Sequence, residues 1–284
     1  MDTLLRILQQ RNPDTPTEEL YARIICGQIY VNNQRERTPS AVVATDAHIE
    51  YRRPRYVSRG GEKLHAALVE WQIEVGNKVF LDAGASSGGF SDCLLQFGAR
   101  QVHAVDVGYN QLDYRLRRDP RVVVHERTNL MTLRSLDPAA DAAVADLSFR
   151  SLRGAAATLL ALTREGWAIV LVKPQFELAA TGKHPALHAA GGVVRDRELL
   201  LQTLLGLQQQ LADEGIAVRR VLASPLRGRR GNQEFLFQIS YRDTAAAVAE
   251  QQDAAIRQRI HDEVRRLDRL HDQPNEERSS GSPM

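Results

Sequence analysis

The sequence predicts an α/β protein: a mostly parallel sheet with helices on both faces and its last strand antiparallel, preceded by a small α+β module. Three observations carry this. Val79-Phe80-Leu81-Asp82-Ala83-Gly84-Ala85-Ser86-Ser87-Gly88-Gly89-Phe90 is an apolar run, an acid and a small-residue turn, leading into a helical pattern over about 87–98. Glycines let a ligand approach the backbone there, and the helix end offers unpaired N–H groups. Apolar runs then recur at Val79–Leu81, Val102–Val105, Val122–Val124, Ala142–Ala145 and Ala168–Val172, separated by helical or short connections, which is the rhythm of a parallel sheet. The last runs, Val218–Leu222 and Glu234–Tyr241, are joined by a loop too short for a crossover helix and should pair antiparallel.

Taken in order, residues 1–51 read as a separate small domain. Leu4, Leu5 and Leu8 mark a helix that stops before Pro13, and Thr17 is placed to cap a second helix with Glu18 and Glu19 in its first turn. A short strand and turn over 28–34 and a strand over 47–51 complete it. Residues 52–61 form a basic linker, with Arg52, Arg53, Arg55 and Arg59 punctuated by Pro54, Gly60 and Gly61. The main domain, 62–241, opens with a helix over 62–71 that carries Lys63, and includes a long helix over 193–211. Residues 242–284 form a tail. Ile256, Ile260, Val264 and Leu267 make a stripe at helical spacing, so one amphipathic helix is expected, docked or paired, followed by a disordered end over 279–283.

Composition is that of a soluble globular chain: 284 residues, 43% hydrophobic and 25% charged, net charge +2. No apolar run approaches the ~20 residues of a membrane helix, and the first residues lack a secretion signal, so a cytoplasmic protein without a membrane partner is expected. Cys26 and Cys93 offer neither metal spacing nor a disulfide framework. His184 and His188 have Pro185 between them and no further ligands nearby, so no metal is expected. With so small a net charge, nucleic-acid affinity must come from patches. Besides the linker, Arg115, Arg117, Arg118 and Arg121 form one, and Arg219, Arg220, Arg227, Arg229 and Arg230 another. Each alone reads as a solvated face; together they point to a polyanion.

Asp106 ends the second strand roughly 20 residues after the glycine turn, where an acid can accept both hydroxyls of a ribose. The spacing Gly84-x-x-x-Gly88-Gly89, opened by Asp82, differs from the nicotinamide pattern and resembles the S-adenosylmethionine loop of Rossmann-like methyltransferases. Asp82 is then expected in the cofactor site, with Gly84, Ser86, Gly88 and Gly89 along the methionine end, Asp106 at the ribose and Asn129 near the adenine. Ligands of open α/β sheets sit beyond the carboxyl ends of the strands, which puts Asp146 and Lys173 on one rim and brings Glu234 to it. A structural ion pair between Lys173 and Asp146 is the plain alternative. Of 37 basic residues only Lys63, Lys78, Lys173 and Lys183 are lysine, and lysine, unlike arginine, can lose its proton.

Five segments carry a family resemblance: Ser58-Arg59-Gly60-Gly61-Glu62-Lys63-Leu64, the glycine turn from Asp82 to Phe90, Asp146-Leu147-Ser148-Phe149, Val172-Lys173-Pro174-Gln175-Phe176-Glu177 and Gly231-Asn232-Gln233-Glu234-Phe235. In this order they resemble the TlyA family, often labelled hemolysins and similar to FtsJ-type ribose methyltransferases. Residues 1–51, with Gly27-Gln28-Ile29-Tyr30-Val31-Asn32 at a helix–strand junction, resemble the RNA-binding domain of small-subunit ribosomal protein four. The resemblance implies a Rossmann-like methyltransferase sheet and a tetrad on Lys63, Asp146, Lys173 and Glu234. It also implies methyl transfer from S-adenosyl-L-methionine to a ribose 2′-hydroxyl of ribosomal RNA, free or in a subunit.

The residues agree with that chemistry. A ribose hydroxyl needs a base, and a lysine serves where burial and a second ammonium lower its pKa. Lys173 is expected as base, Lys63 as its electrostatic neighbour, Asp146 and Glu234 as orienting partners, and the linker arginines with Arg227, Arg229 and Arg230 as RNA contacts. Two competing readings are a cytolysin, which needs a membrane-inserting segment, and a non-catalytic RNA-binding assembly factor, for which the complete tetrad is superfluous.

Overall fold

The computed structural model describes residues 1–52, 54–148, 151–181, 192–243 and 245–271. Arg53, His184, His188 and the stretch 279–283 lie outside the described residues. The chain divides into two compact units, Met1–Arg55 and Tyr56–Met284.

The first unit runs β1 (Asp2–Thr3), α1 (Leu4–Arg11), α2 (Thr17–Ile25), β2 (Ile29–Val31), β3 (Gln34–Glu36), β4 (Val42–Val43) and β5 (Ile49–Tyr51). Leu4 and Leu8 of α1 meet Leu20 and Ile24 of α2 over Ile29, which makes its core. Strand β2 lies between β3 and β5, antiparallel to both. Asn32 and Asn33 turn the β2–β3 hairpin at φ 48° and 65°, a left-handed geometry that asparagine tolerates. Two details differ from expectation. Thr17 is the first helical residue rather than the cap; Pro16 precedes it, and the Thr17 hydroxyl accepts from Gln9 Nε2 at 2.8 Å. The β1–β4 pair is too short to leave an alternation in the sequence.

The second unit begins with α3 (Arg59–Glu70), inside the stretch read as linker, followed by β6 (Val79–Ala83) and α4 (Gly89–Gln96). Then come β7 (Gln101–Val105), α5 (Tyr114–Arg117), β8 (Val122–His125), β9 (Ala142–Ala145), α6 (Ala155–Ala161), β10 (Trp167–Val172) and α7 (Pro174–Ala180). The unit ends with α8 (Arg197–Asp213), β11 (Ile216–Ala223), β12 (Phe235–Tyr241) and α9 (Ala246–His271). Seven strands make one sheet in the order β11-β12-β10-β9-β6-β7-β8. Only β12 runs against its neighbours, β10 and β11; the other pairs are parallel.

All five side chains of β6 and all four of β9 are buried, as befits strands covered on both faces. The chain leaves β6 toward β7 and β8 and returns to β9 on the other side. That reversal opens a crevice beyond the carboxyl ends of β6 and β9. Apolar layers cover both faces. The tail helix belongs to one of them: Ile256, Ile260, Val264 and Leu267 of α9 pack in the layer that holds Phe235, Phe237 and Val221. At roughly 1.5–3 kcal/mol per buried large apolar side chain, α9 is part of the core. Its Glu263 is buried and accepts from the Ala223 amide at 2.9 Å, where β11 ends.

Candidate active site

The glycines act first through packing. Gly84 has φ +81°, and a Cβ there would lie 2.6 Å from the Asp146 carbonyl oxygen, so this glycine lets the turn after β6 close on the tip of β9. A Cβ on Gly89 would lie 2.2 Å from Ser58 Oγ and 2.9 Å from the Gly61 nitrogen. Helices α3 and α4 therefore touch backbone to backbone. That contact seats α3 with Lys63 on its buried side, next to Leu64, Ala67 and Leu68. Gly88, at φ +90°, faces Leu112 and Leu116. Gly84, Gly88 and Gly89 were expected to line a ligand; each has a neighbour in the protein itself.

The second strand tip keeps its acid in the open. Asp106 accepts from the Ser86 amide through Oδ2 at 2.8 Å and from the Gly108 amide through Oδ1 at 2.6 Å. Each oxygen keeps a lone pair for a further donor. Around it Ala85, Ala104, Leu112 and Val124 supply apolar walls, with Gln111 and Glu126, in a shallow pocket. Flat apolar walls beside a carboxylate suit a nucleoside: the walls take a base and the acid takes sugar hydroxyls. The residues present thus fit S-adenosylmethionine. Gln111 and Glu126 escaped the sequence reading because nothing in their spacing marks a loop residue that folds back over a pocket.

Asp82 and Asn129 are not among the residues that line this pocket. Asp82 is fully buried; Ser91 Oγ donates to its Oδ2 at 2.6 Å, and Oδ1 has no hydrogen-bond partner among the described residues. Burial pushes its carboxyl up to about 7. Asn129 accepts from the Met131 amide at 3.0 Å and so caps the short 3-10 turn Leu130–Thr132; it is not among the residues around the pocket.

Four chemical groups stand as two ion pairs at the carboxyl end of the sheet. Lys173, directly after β10, holds its Nζ 2.6 Å from Asp146 Oδ1, directly after β9, and donates to Ser148 Oγ at 3.0 Å. The Asp146 contact is an ion pair rather than a directed hydrogen bond. Lys63 donates to Glu234 Oε2, with both side chains buried. Val172 pairs with Phe235 across β10 and β12, so Lys173 and Glu234 occupy the next register position as neighbours. Strand neighbours are about 5 Å apart, which brings the two pairs side by side. Lys63, far off in sequence, arrives through α3. Ser148 was part of a motif but had no role assigned to it.

Of the arginines, Arg52, Arg55, Arg59, Arg227, Arg229 and Arg230 are exposed. Several are engaged within the protein. Arg52 pairs with Glu50 at 2.5 Å and stacks on Tyr30 at 4.5 Å, and Arg59 donates to the Arg227 carbonyl. No group of His, Cys, Asp or Glu among the described residues could hold a metal ion, and no helix among them is long and apolar enough to cross a membrane.

A sheet covered on both faces with one antiparallel strand, a pocket around Asp106 beyond β6, β7 and β8 and two lysine–acid pairs beyond the strand tips define a Rossmann-like methyltransferase. The FtsJ-like methyltransferase family model matches residues 56–241, and the chain belongs to that family, with S-adenosylmethionine as methyl donor. It is 41% identical over 224 residues to the 16S/23S rRNA (cytidine-2'-O)-methyltransferase TlyA of Mycobacterium tuberculosis, covering 78% of this chain and 80% of the relative. It is 38% identical over 219 residues to Hemolysin A of Brachyspira hyodysenteriae, covering 75% of this chain and 89% of the relative. A solved hemolysin-named structure from Streptococcus thermophilus superposes with a TM-score of 0.65 at 28% identity, covering 94% of this chain and 98% of the other.

Proposed function

We propose that this protein methylates a ribose 2′-hydroxyl of ribosomal RNA, presented by the RNA or by a ribosomal subunit, in the cytoplasm. The observation that carries the reading is the pair of adjacent lysine–acid contacts, Lys173–Asp146 and Lys63–Glu234, at the same end of the sheet that bears Asp106. The relatives named for ribosomal RNA cytidine-2'-O methylation supply the substrate class.

Bound S-adenosylmethionine supplies an electrophilic methyl group on a sulfonium. The chain's residues do the rest. Asp106, fixed by the Ser86 and Gly108 amides, accepts from the cofactor's ribose hydroxyls. Lys173, as free amine, takes the proton from the RNA 2′-hydroxyl. Asp146 and Ser148 hold its nitrogen at the rim and orient the amine toward the hydroxyl. Lys63, buried on its pair with Glu234, stands near enough to favour alkoxide character on the attacking oxygen. Direct displacement needs no enzyme cysteine, and Cys93 is buried in α4. The exposed arginines and the first unit contribute affinity for the phosphate backbone.

The test is transfer of labelled methyl from S-adenosylmethionine to ribosomal RNA and to isolated subunits, followed by nuclease digestion and identification of the labelled nucleoside. A 2′-O-methylnucleoside is expected. Label on a base, or none on either substrate, would overturn the reading.

A further inference from the structure

Glu177 ends the Val172-Lys173-Pro174-Gln175-Phe176-Glu177 segment. It lies on α7 one turn beyond Lys173 and is 7% exposed. Both carboxylate oxygens are used: Ser151 Oγ donates to Oε2, and the Leu152 amide donates to Oε1 at 2.9 Å. Ser151 and Leu152 follow the same strand, β9, as Asp146 and Ser148. Both pairs of residues are therefore held by one element. Asp146 and Ser148 hold the Lys173 nitrogen; Ser151 and Leu152 are held by Glu177. Lys173, Glu177, Leu147 and Leu152 line one small pocket at this junction, between the two fastenings.

We propose that Glu177 is a positioning residue for methyl transfer: by holding Ser151 and Leu152 from the helix that follows Lys173, it keeps Asp146 and Ser148 set to hold the Lys173 amine in its working orientation. It touches neither substrate nor cofactor and acts through Lys173. Burial pushes the Glu177 carboxyl up from its ordinary value; loss of its two acceptors frees Ser151 and Leu152. A reacting group displaced by about 1 Å can lose about a hundredfold in rate. The role rests on Lys173 acting as base, and the experiment separates the two ideas.

Three full-length proteins are compared: wild type, Glu177→Ala and Glu177→Gln. Glutamine keeps an oxygen for the Leu152 amide, and the Ser151 hydroxyl can accept from its NH2 group. First, methyl transfer is measured per cofactor-binding molecule. Glu177→Ala should lower kcat on the order of tenfold to a hundredfold with affinity for S-adenosylmethionine unchanged, and Glu177→Gln should restore most of it. Combining Glu177→Ala with Ser148→Ala should cost little more than the worse single variant, because both loosen the same amine.

Second, the amines are reductively methylated with 13C-formaldehyde and followed by NMR. With only four lysines in the chain, the Lys173 signal can be assigned by comparison with Lys173→Arg. In Glu177→Ala that signal should shift and its titration should change, while those of Lys63 and Lys78 stay in place. This readout needs no substrate, so it tests the proposal even if the wild type transfers no methyl to ribosomal RNA, a result that would sink the substrate reading alone. An unchanged Lys173 signal, or full turnover in Glu177→Ala, would make Glu177 a purely structural residue. A Glu177→Gln variant as inactive as Glu177→Ala would show that the charge itself is needed, which contradicts positioning.

Discussion

The two lysine–acid pairs share a chemistry but not an environment, and that difference predicts unequal costs when their acids are removed. In the Lys63–Glu234 pair the side chains are 10% and 5% exposed. Glu234→Ala leaves an ammonium inside the protein with its acid gone, and breaking a buried pair from one side costs about 3–5 kcal/mol. In the Lys173–Asp146 pair the lysine is equally buried, at 10%, but the acid is 27% exposed, and Lys173 keeps Ser148 as acceptor. Asp146→Ala should then cost about 1–2 kcal/mol. For a domain of this size 1 kcal/mol moves the melting temperature by about 2–4 °C. Glu234→Ala should therefore melt roughly 6–20 °C below wild type and Asp146→Ala only a few degrees below, although both lose methyl transfer. Glu234→Gln, which keeps an acceptor, should fall between. Thermal melts at neutral pH decide it: equal melting temperatures for the two alanine variants would refute the argument that burial of the Lys63 pair sets its worth.

Three further outcomes are expected. Asp106→Ala should lose most cofactor affinity by calorimetry and melt near wild type, since its partners, the Ser86 and Gly108 amides, lie where water can replace it; unchanged affinity would remove Asp106 from the ribose site. Asp82 carries a folded pKa raised to about 7 from 3.8. The folded state therefore binds more protons between those values, and the stability this group contributes is lost as pH rises through that window. Relative to wild type, Asp82→Asn should gain stability steadily from pH 4 to pH 7 in urea titrations, and parallel stability curves for the two proteins would contradict the burial argument. A protein starting at Tyr56 should bind S-adenosylmethionine like the full chain but bind ribosomal RNA more weakly and with a shallower salt slope. Equal RNA binding would leave residues 1–55 without a part in recognition.

The chemistry was legible where a residue type is costly at its position. An acid or lysine at the end of an apolar run has to be held by something, and the tips of β6, β7, β9 and β10 announced Asp82, Asp106, Asp146 and Lys173 in that way. The antiparallel β12 was legible from loop length alone. What stayed hidden was tertiary. No period in the sequence tells that Gly84 faces the Asp146 carbonyl, or that Gly89 lets α3 and α4 meet. Asp82 and Asp106 look alike as strand-ending acids; only packing separates a buried carboxyl from one open to a pocket. The stripe on the helix after 242 is legible as a docking face, but not the layer it enters: Ile260 is fully buried among the sheet's apolar residues. Ser148 and Glu177 were missed because their partners, Lys173 and the Ser151–Leu152 turn, are joined only in the folded chain.

The central claim is that Lys173 removes the proton, and Lys173→Arg tests it most directly. Arginine keeps the positive charge and can still pair with Asp146, but its guanidinium stays protonated at working pH. Tritiated methyl transfer from S-adenosylmethionine to ribosomal RNA is measured for wild type and variant, with cofactor and RNA affinities alongside. The account predicts normal binding of both and no transfer by the arginine variant. Substantial transfer would contradict it and leave Lys173 as a positioning charge within an ion pair.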